Sequence, residues 1–247
     1  MSQIKTIVMK FGGTSVVDEA ARTLMVGHII REVTAGFKVL AVVSAMGRLG
    51  AAYATDTLGS LVSKKISPKE SDRLLSCGEV ISSIVASDFA RTYGLNVTSL
   101  APVEIGIITD TNYTDAHILI VETKDLLDKF KTYDVLIAPG FIGVSEEGFI
   151  TTLGRGGSDT SAIALGASLG AEFVDIYSDV RGVMSADPKT NPDAVLIPEM
   201  TYDELIELAE AGAKVIHLKA IKLAKDCEVK MRFRSTFEDV IGTVVKS

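Results

Sequence analysis

The sequence predicts an α/β domain with a mainly parallel central sheet. Short apolar runs rich in β-branched residues alternate with segments of helical pattern along all 247 residues. The runs are continuous in their apolar character, as expected of strands that are covered on both faces. No repeat, low-complexity tract or linker-like stretch divides the chain, so we expect a single domain over residues 1–247.

The N-terminal half supplies the first elements of this pattern. We predict strands at 6–11, 38–45 and 96–100, and helices at 18–34, 78–93 and 123–131. Gly94 follows the second helix at the position where a left-handed glycine ends many helices. The segment 46–56 is predicted to be a loop.

The C-terminal half continues the alternation. A buried strand is predicted at 135–144, with a break at Pro139-Gly140 and a hairpin turn at 145–148. The remaining predictions are a small-residue helix at 158–169, strands at 173–178 and 229–235, helices at 202–211 and 215–225, and a loop at 179–198. A cleft between two lobes of one continuous sheet is compatible with this order.

Composition and charge exclude several classes of function. The formal net charge is -7, whereas a nucleic-acid surface needs clustered lysine and arginine. No apolar segment approaches the length of a membrane span, and residues 1–10 lack the apolar core of a signal peptide. Cys77 and Cys227 are too few and too far apart for a disulfide scaffold or a metal site. We therefore expect a cytoplasmic protein that binds neither nucleic acid nor membranes.

Three glycine-rich segments follow predicted strands, where α/β proteins bind ligands. In the first, Lys10 ends a strand and is followed by Phe11, Gly12, Gly13 and Thr14. Such a segment can place an ammonium group beside backbone N–H donors, which suits a polyphosphate. A tight turn with a surface lysine explains the same residues, and no Walker A motif occurs.

The second segment, residues 151–160, leads directly into the small-residue helix. Ser158 or Asp159 is predicted to cap that helix, and the free N–H groups at its start would face an anion. Arg155 offers a planar fork for a carboxylate, which a purely structural loop does not require. The third segment, residues 178–189, carries Asp179 and Asp187 in a polar connection and is a weak signal by itself.

Seven motifs in matching order resemble the signatures of the aspartokinase family. They are KFGGTSV at 10–16, SAMG at 44–47, SCGE at 76–79, TLGRGGSDTSA at 152–162, SDVRGVMSADPK at 178–189, GAKVI at 212–216 and RFRST at 232–236. The resemblance implies a three-layer α/β/α sandwich with a mainly parallel central sheet, the amino-acid kinase fold. It implies an enzyme that transfers the γ-phosphate of ATP to the side-chain carboxylate of L-aspartate. It also implies Mg²⁺ as a cofactor, a homodimer, and a place at the start of aspartate-family amino-acid biosynthesis, which includes lysine, threonine and diaminopimelate.

The resemblance implies a role for each of a set of residues. Lys10 and Asp159 would be catalytic, with Lys10 at the transferring phosphoryl group and Asp159 orienting it. ATP would be bound by Lys10, Phe11, Gly12, Gly13, Ser44, Ser158, Ser178, Asp179, Met184, Asp187, Pro188, Lys189 and Lys214. Aspartate would be bound by Thr14, Ser15, Thr55, Glu79, Arg155, Gly156 and Gly157. Arg155 would hold its α-carboxylate and Glu79 its α-ammonium group, and no residue is predicted to ligate a metal.

The sequence departs from the family pattern at a few positions. Met184 stands where relatives have Tyr, and Lys189 stands where they have Arg, so we expect altered contacts to ATP. His217 is followed by Leu218 and Lys219 where many relatives have Pro and Arg, and we expect His217 to be structural. We also expect no ACT regulatory domain, since the sequence ends soon after the RFRST motif.

The implied chemistry is consistent with the residue types. A carboxylate nucleophile is already ionised at neutral pH, so the site needs positive charge but no general base. The segment 46–56 is a candidate lid that would keep water from the acyl phosphate. Two alternatives remain: a related kinase with another acceptor, and a chain that binds nucleotide without turnover.

Overall fold

The computed structural model of the protein describes residues 4–186, 191, 193–213, 215–240 and 242–247. Its main sheet has eight strands in the order β10-β12-β11-β9-β1-β2-β6-β3. These strands are β1 (Thr6–Phe11), β2 (Lys38–Val43), β3 (Val97–Ser99), β6 (Val135–Pro139), β9 (Val174–Ser178), β10 (Glu199–Thr201), β11 (Met231–Ser235) and β12 (Thr243–Lys246). Every pair is parallel except β11 with β12. The predicted parallel sheet is thus confirmed.

A smaller sheet lies beside the main one and has four strands in the order β5-β4-β7-β8. Its strands are β4 (Ile107–Thr109), β5 (Ile118–Val121), β7 (Ile142–Ser145) and β8 (Ile150–Thr152). The β7–β8 hairpin turns at Gly148, which adopts a φ of +83°, as the prediction of a turn at 145–148 requires.

Helices cover both faces of the main sheet. They are α1 (Glu19–Thr34), α2 (Thr55–Ser60), α3 (Pro68–Thr92), α4 (Lys124–Phe130), α5 (Gly157–Leu169), α6 (Tyr202–Glu210) and α7 (Leu218–Asp226). Alternate residues of β1 face the two layers: Ile7 and Met9 pack in the core with α1, whereas Val8 packs in the core with α5. This alternation produces the three layers that the family resemblance implies, with the sheet covered on both faces as the continuous apolar runs predict.

The position of α3 differs from its prediction, and the difference bears on the site. It begins at Pro68, ten residues before the predicted start, because Ser67 caps it and accepts a bond from the Glu70 N–H at 3.3 Å. Proline at the first helical position after a serine cap is a standard start signal. At 25 residues, α3 is long enough to run past both sheets. None of the described helices is long and apolar enough to cross a bilayer.

The segment 135–144 also differs from its prediction. It forms two strands in different sheets, since β6 ends at Pro139 and β7 begins at Ile142. Proline has no N–H group to continue the ladder, and Phe141 adopts a left-handed φ of +68°. The chain therefore leaves the main sheet at the predicted break, and its two halves belong to two sheets instead of one continuous sheet.

Candidate active site

A cavity of about 270 Å³ opens beside the carboxyl ends of β1 and β2, the central strands of the main sheet. Strand ends at this edge bring segments that are distant in sequence next to each other. The cavity is lined by Lys10, Ser44, Thr55, Glu79, Phe141, Gly154, Arg155, Gly156, Gly157, Ser158 and Asp159. Nine of these eleven residues belong to the set that the sequence resemblance implies.

Lys10 supplies positive charge on one wall of this cavity. Its Nζ lies 2.7 Å from Asp159 Oδ1, and both side chains are largely shielded, at 13% and 15% exposure. Lys10 is held by β1 and Asp159 by the first turn of α5, so the ion pair joins the sheet to the helix. Pairing with Asp159 keeps the ammonium group in the cavity and restricts its rotation.

Glu79 provides a buried carboxylate to the same cavity from the middle of α3. One of its oxygens, Oε1, accepts from the Thr55 hydroxyl at 3.2 Å and from the Ala45 N–H at 3.4 Å. The other, Oε2, has no hydrogen-bond partner within the described part of the chain. Burial raises the pKa of Glu79 to about 7, because the carboxylate loses its surrounding water and its hydrogen bonds offset this loss only in part.

Close packing of α3 against the segment before α2 sets the place of Glu79. A Cβ at the neighbouring Gly78 would lie 2.6 Å from the Tyr53 carbonyl oxygen. Only glycine lets the helix approach that backbone so closely. The SCGE motif therefore combines a packing requirement at Gly78 with a functional carboxylate at Glu79.

Arg155 sits between two glycines in left-handed conformations, Gly154 at φ +72° and Gly156 at φ +75°. Gly156 is the N-cap of α5 and no side chain caps this helix, so the predicted capping role of Ser158 or Asp159 was wrong. Both residues lie inside the first turn and line the cavity, where an acidic side chain is favourable to the helix dipole. The uncapped start of α5 leaves backbone N–H groups available to an anion.

The first glycine-rich segment lies next to the cavity without lining it beyond Lys10. A Cβ at Gly13 would meet the Gly47 carbonyl oxygen at 2.4 Å, so the turn is packed directly on the 45–47 backbone. Ser15 is fully buried and its hydroxyl bonds Thr236 Oγ1 at 2.7 Å. The Phe11 ring is also buried, stacked on Tyr177 with 4.7 Å between centroids. The Phe11 and Ser15 side chains thus point into the protein, whereas Thr14 is partly exposed.

Of the other residues predicted to bind nucleotide, Ser178, Asp179 and Met184 do not line the cavity. Ser178 accepts a bond from the Val180 N–H at 3.3 Å, and Asp179 pairs with Arg48 at 3.0 Å. Met184 forms an isolated bridge to Leu196. Asp187, Pro188, Lys189 and Lys214 lie outside the described residues. A second cavity, of about 480 Å³, shares Arg155, Gly156 and Asp159 with the first and is otherwise lined by residues of the 209–218 segment.

Two lining residues were missed in the sequence, Phe141 and Gly154. Phe141 follows Pro139-Gly140, which signals a chain break but not a positive φ at a non-glycine residue. Its N–H donates to Ser161 Oγ at 3.0 Å, which fixes the ring against the start of α5. In the described residues, no group of three or more His, Cys, Asp or Glu side chains could hold a metal ion by itself.

The chain is similar to known proteins over nearly its whole length. Aspartokinase 1 of Bacillus subtilis is 45% identical over 247 residues, which are 99% of this chain and 61% of that protein. The aspartokinase of Geobacillus stearothermophilus is 42% identical over 97% of this chain and 58% of its own length. The chain therefore spans about three fifths of these curated relatives.

Solved structures agree with this similarity. Aspartate kinase from Synechocystis superposes with a TM-score of 0.86 at 36% identity, covering 98% of this chain and 40% of its own. E. coli aspartokinase III in complex with aspartate and ADP gives 0.84 at 25% identity, covering 98% and 65%. The model of the amino acid kinase family matches residues 5–235. The fold, the cavity and these similarities together show that the chain belongs to the amino acid kinase family.

Proposed function

We propose that the protein transfers the γ-phosphoryl group of ATP to the β-carboxylate of L-aspartate, giving 4-phospho-L-aspartate. One observation carries the proposal: a single small cavity holds a buried carboxylate with an unpaired oxygen, Glu79, together with Arg155 and Lys10. A free amino acid has the complementary groups, an ammonium group and a carboxylate, on one carbon atom. The similarity to aspartokinases points to aspartate among the free amino acids.

Recognition of the acceptor follows from these groups. The α-ammonium group would bond the free Oε2 of Glu79, and the α-carboxylate would bind the guanidinium group of Arg155. An N-acylated acceptor lacks the ammonium group and would leave the buried carboxylate without a partner, which disfavours it. The cavity volume of about 270 Å³ suits a small amino acid and the group it receives.

The chemical step needs charge neutralisation and alignment. A β-carboxylate oxygen forms a bond to the γ-phosphorus while the bond from that phosphorus to the bridging oxygen of ADP breaks, and no proton moves. Lys10 would offset the charge on the equatorial oxygens, and the N–H groups at the start of α5 would bond the phosphates. Asp159 would keep Lys10 in place, as its 2.7 Å contact indicates.

ATP would approach from the side of the 209–218 segment, where the second cavity adjoins the first. When bound, Mg²⁺ would neutralise charge on the nucleotide phosphates. Because Mg²⁺ in kinases is held by one or two carboxylates plus phosphate oxygens, Asp159 is the cavity residue that fits this role. A homodimer belongs to the same proposal, and light scattering of the purified protein would test it.

Hydroxylamine trapping tests the acceptor directly, because it converts an acyl phosphate to a hydroxamate. The protein would be incubated with Mg-ATP and aspartate, glutamate or N-acetylglutamate in separate reactions. We expect hydroxamate with aspartate alone. Hydroxamate with another acceptor would retain the kinase chemistry and overturn the substrate, and no hydroxamate with any of them would overturn the proposed activity.

Replacing Lys10 tests the proposed role of its charge. We expect Lys10→Ala to lower kcat by about 100-fold or more, since losing one such electrostatic contact to the transition state costs about 3–4 kcal/mol. Lys131→Ala is the matched control, because Lys131 pairs with Asp128 on the surface at 68% exposure. Turnover of Lys10→Ala within a few-fold of the unsubstituted protein would contradict this role.

A further inference from the structure

A second buried carboxylate, Asp72, lies on α3 outside the cavity. Its side chain is fully buried, and it forms no ion pair with the residues that the structure describes. A buried charge without a counterion is costly unless several donors compensate it. Its position therefore calls for an explanation that the proposed reaction does not supply.

Three donors from two segments converge on Asp72. The Thr152 hydroxyl donates to Oδ1 at 2.7 Å and the Thr152 N–H donates to Oδ2 at 2.9 Å. The Thr114 N–H contacts both oxygens, at 3.1 and 3.0 Å. Both carboxylate oxygens are thus satisfied, and the interaction joins α3 to the end of β8 and to the 110–116 loop.

These contacts connect the two residues that we propose bind the acceptor. Asp72 and Glu79 are seven residues apart on one helix, so they share a face two turns apart. Thr152 ends β8 three residues before Arg155. The path from Glu79 to Arg155 therefore runs along a rigid helix, across the Asp72–Thr152 bonds and through a short glycine loop.

The 110–116 loop adopts an unfavourable backbone conformation at Thr114, the residue whose N–H bonds Asp72. Thr114 has a φ of +74°, which is rare for a β-branched residue and costs about 1–3 kcal/mol. Its loop also places Asp115 directly behind the Arg155 segment, since a Cβ at Gly154 would lie 2.4 Å from Asp115 Oδ1. Lys219 bonds that Asp115 oxygen at 3.2 Å and the Leu153 carbonyl oxygen at 3.4 Å.

We propose that Asp72 is a positioning residue that sets the separation between Glu79 and Arg155, and with it the affinity for a free amino acid. The inference rests on the proposed function of the cavity. A carboxylate is suited to this place because all three surrounding groups are donors. Asparagine has the same shape but presents an NH₂ group, which would face a donor and break part of the network.

Steady-state kinetics of Asp72→Asn test the positioning role. We expect the KM for aspartate to rise by about tenfold or more, because small displacements of substrate-binding groups have large effects. The KM for ATP should rise less than the KM for aspartate, since the proposed ATP contacts also include Lys10 and the 209–218 segment, neither of which bonds Asp72. Thr152→Val removes one donor without changing side-chain shape and should raise the aspartate KM about threefold to fivefold, whereas Thr152→Ser keeps the hydroxyl and should stay within about twofold.

Glu32→Gln is the control for a general loss of stability. Glu32 is a buried carboxylate on α1, on the other face of the main sheet from α5, and it lies 3.5 Å from Arg234. We expect this variant to lower Tm without changing the aspartate KM. An Asp72→Asn protein whose aspartate KM is unchanged, or whose KM for ATP rises equally, would overturn the positioning role.

Hydrogen exchange separates a failure of this inference from a failure of the proposed function. In Thr152→Val, amides of residues 152–160 should exchange faster, and in Thr152→Ser they should not. This readout needs no substrate. If the unsubstituted protein does not phosphorylate aspartate, the proposed function fails and the exchange data still decide on Asp72; unchanged exchange in Thr152→Val would overturn the positioning role.

Discussion

Two buried carboxylates on one face of α3, Asp72 and Glu79, have opposite hydrogen-bond environments. Within the part of the chain that the structure describes, Asp72 accepts bonds on both oxygens from Thr114 and Thr152, whereas Glu79 accepts bonds on Oε1 alone. Both carboxyl groups have their pKa raised by burial. The carboxylate of Asp72 thus links segments of the protein, whereas the carboxylate of Glu79 leaves one oxygen free for a ligand.

The contrast shows how an unpaired group marks function. Nearly all buried polar atoms in folded proteins have hydrogen-bond partners, so each exception needs a reason. Glu79 Oε2 faces a cavity that also contains Arg155 and Lys10, and a ligand with an ammonium group would complete its bonding. Asp72 has no such vacancy, because both of its carboxylate oxygens accept hydrogen bonds. The two residues can therefore be separated by experiments on affinity, stability and pH.

The largest difference is expected in ligand affinity. Glu79→Gln keeps the size of the side chain but loses the charge that would pair with the ammonium group. We expect the KM for aspartate to rise by about 100-fold or more, because a buried charge-assisted bond is worth about 3 kcal/mol. The Asp72→Asn effect should be smaller, since it acts only through position. An equal or larger effect of Asp72→Asn would reverse the distinction between the two residues.

The next difference concerns the free energy of unfolding without ligand. Asp72→Asn should destabilise the protein by about 2–3 kcal/mol, because it leaves buried donors without an acceptor. Glu79→Gln should be neutral or stabilising by up to about 3 kcal/mol at pH 8, since it removes an uncompensated buried charge. Urea denaturation of both variants at pH 8 measures this. Loss of stability in both would show that Glu79 is also a structural link.

The smallest difference is expected in the pH dependence. Aspartate should bind the ionised form of Glu79, so lowering the pH from 8 to 6 should weaken its binding about tenfold, given a pKa of about 7. Lys10, Arg155 and Asp159 are the other charged groups of the cavity. Calorimetric titration with aspartate across this range provides the measurement, with Glu79→Gln as a variant whose weak binding should not respond to pH.

The raised pKa of Glu79 also affects the free energy of unfolding. Its contribution to stability falls as the pH rises, whereas a carboxyl group with a lowered pKa contributes more at higher pH. A folded-state pKa above the unfolded value means that the native protein binds more protons between pH 4.5 and about 7. The contribution of Glu79 to stability is therefore complete below pH 4.5, falls as the pH rises to about 7 and is constant above it. Glu79→Gln should remove this slope, whereas Asp72→Asn should leave it.

Much of the fold could be predicted from local pattern. The strand 6–11 was predicted with its observed bounds, and the helices α1, α4 and α5 within one residue at each end. Continuous apolar strands correctly indicated a sheet covered on both faces. Short strands were missed: β4, β5, β10 and β12 have only three or four residues, too few for a period to be visible.

Only part of the site could be predicted, because local residue chemistry does not show which distant residues meet. Residue chemistry alone suggested an anion site around Lys10 and Arg155 and left a structural turn as an alternative. The family resemblance added Glu79, Thr55 and Ser44, and the structure brings all five to one cavity. No local pattern relates residue 10 to residues 79 and 155, because their meeting depends on the order of strands in the sheet.

The sequence by itself determined the parallel α/β architecture, the glycine segments and the residue types of the site, because each is encoded in short-range pattern. Only the tertiary structure decided that β6 and β7 enter different sheets, that Ser15 faces Thr236, and that Asp72 meets Thr114 and Thr152. These contacts join residues up to 221 positions apart. They follow from packing and hydrogen bonding between whole elements, which a local pattern does not contain.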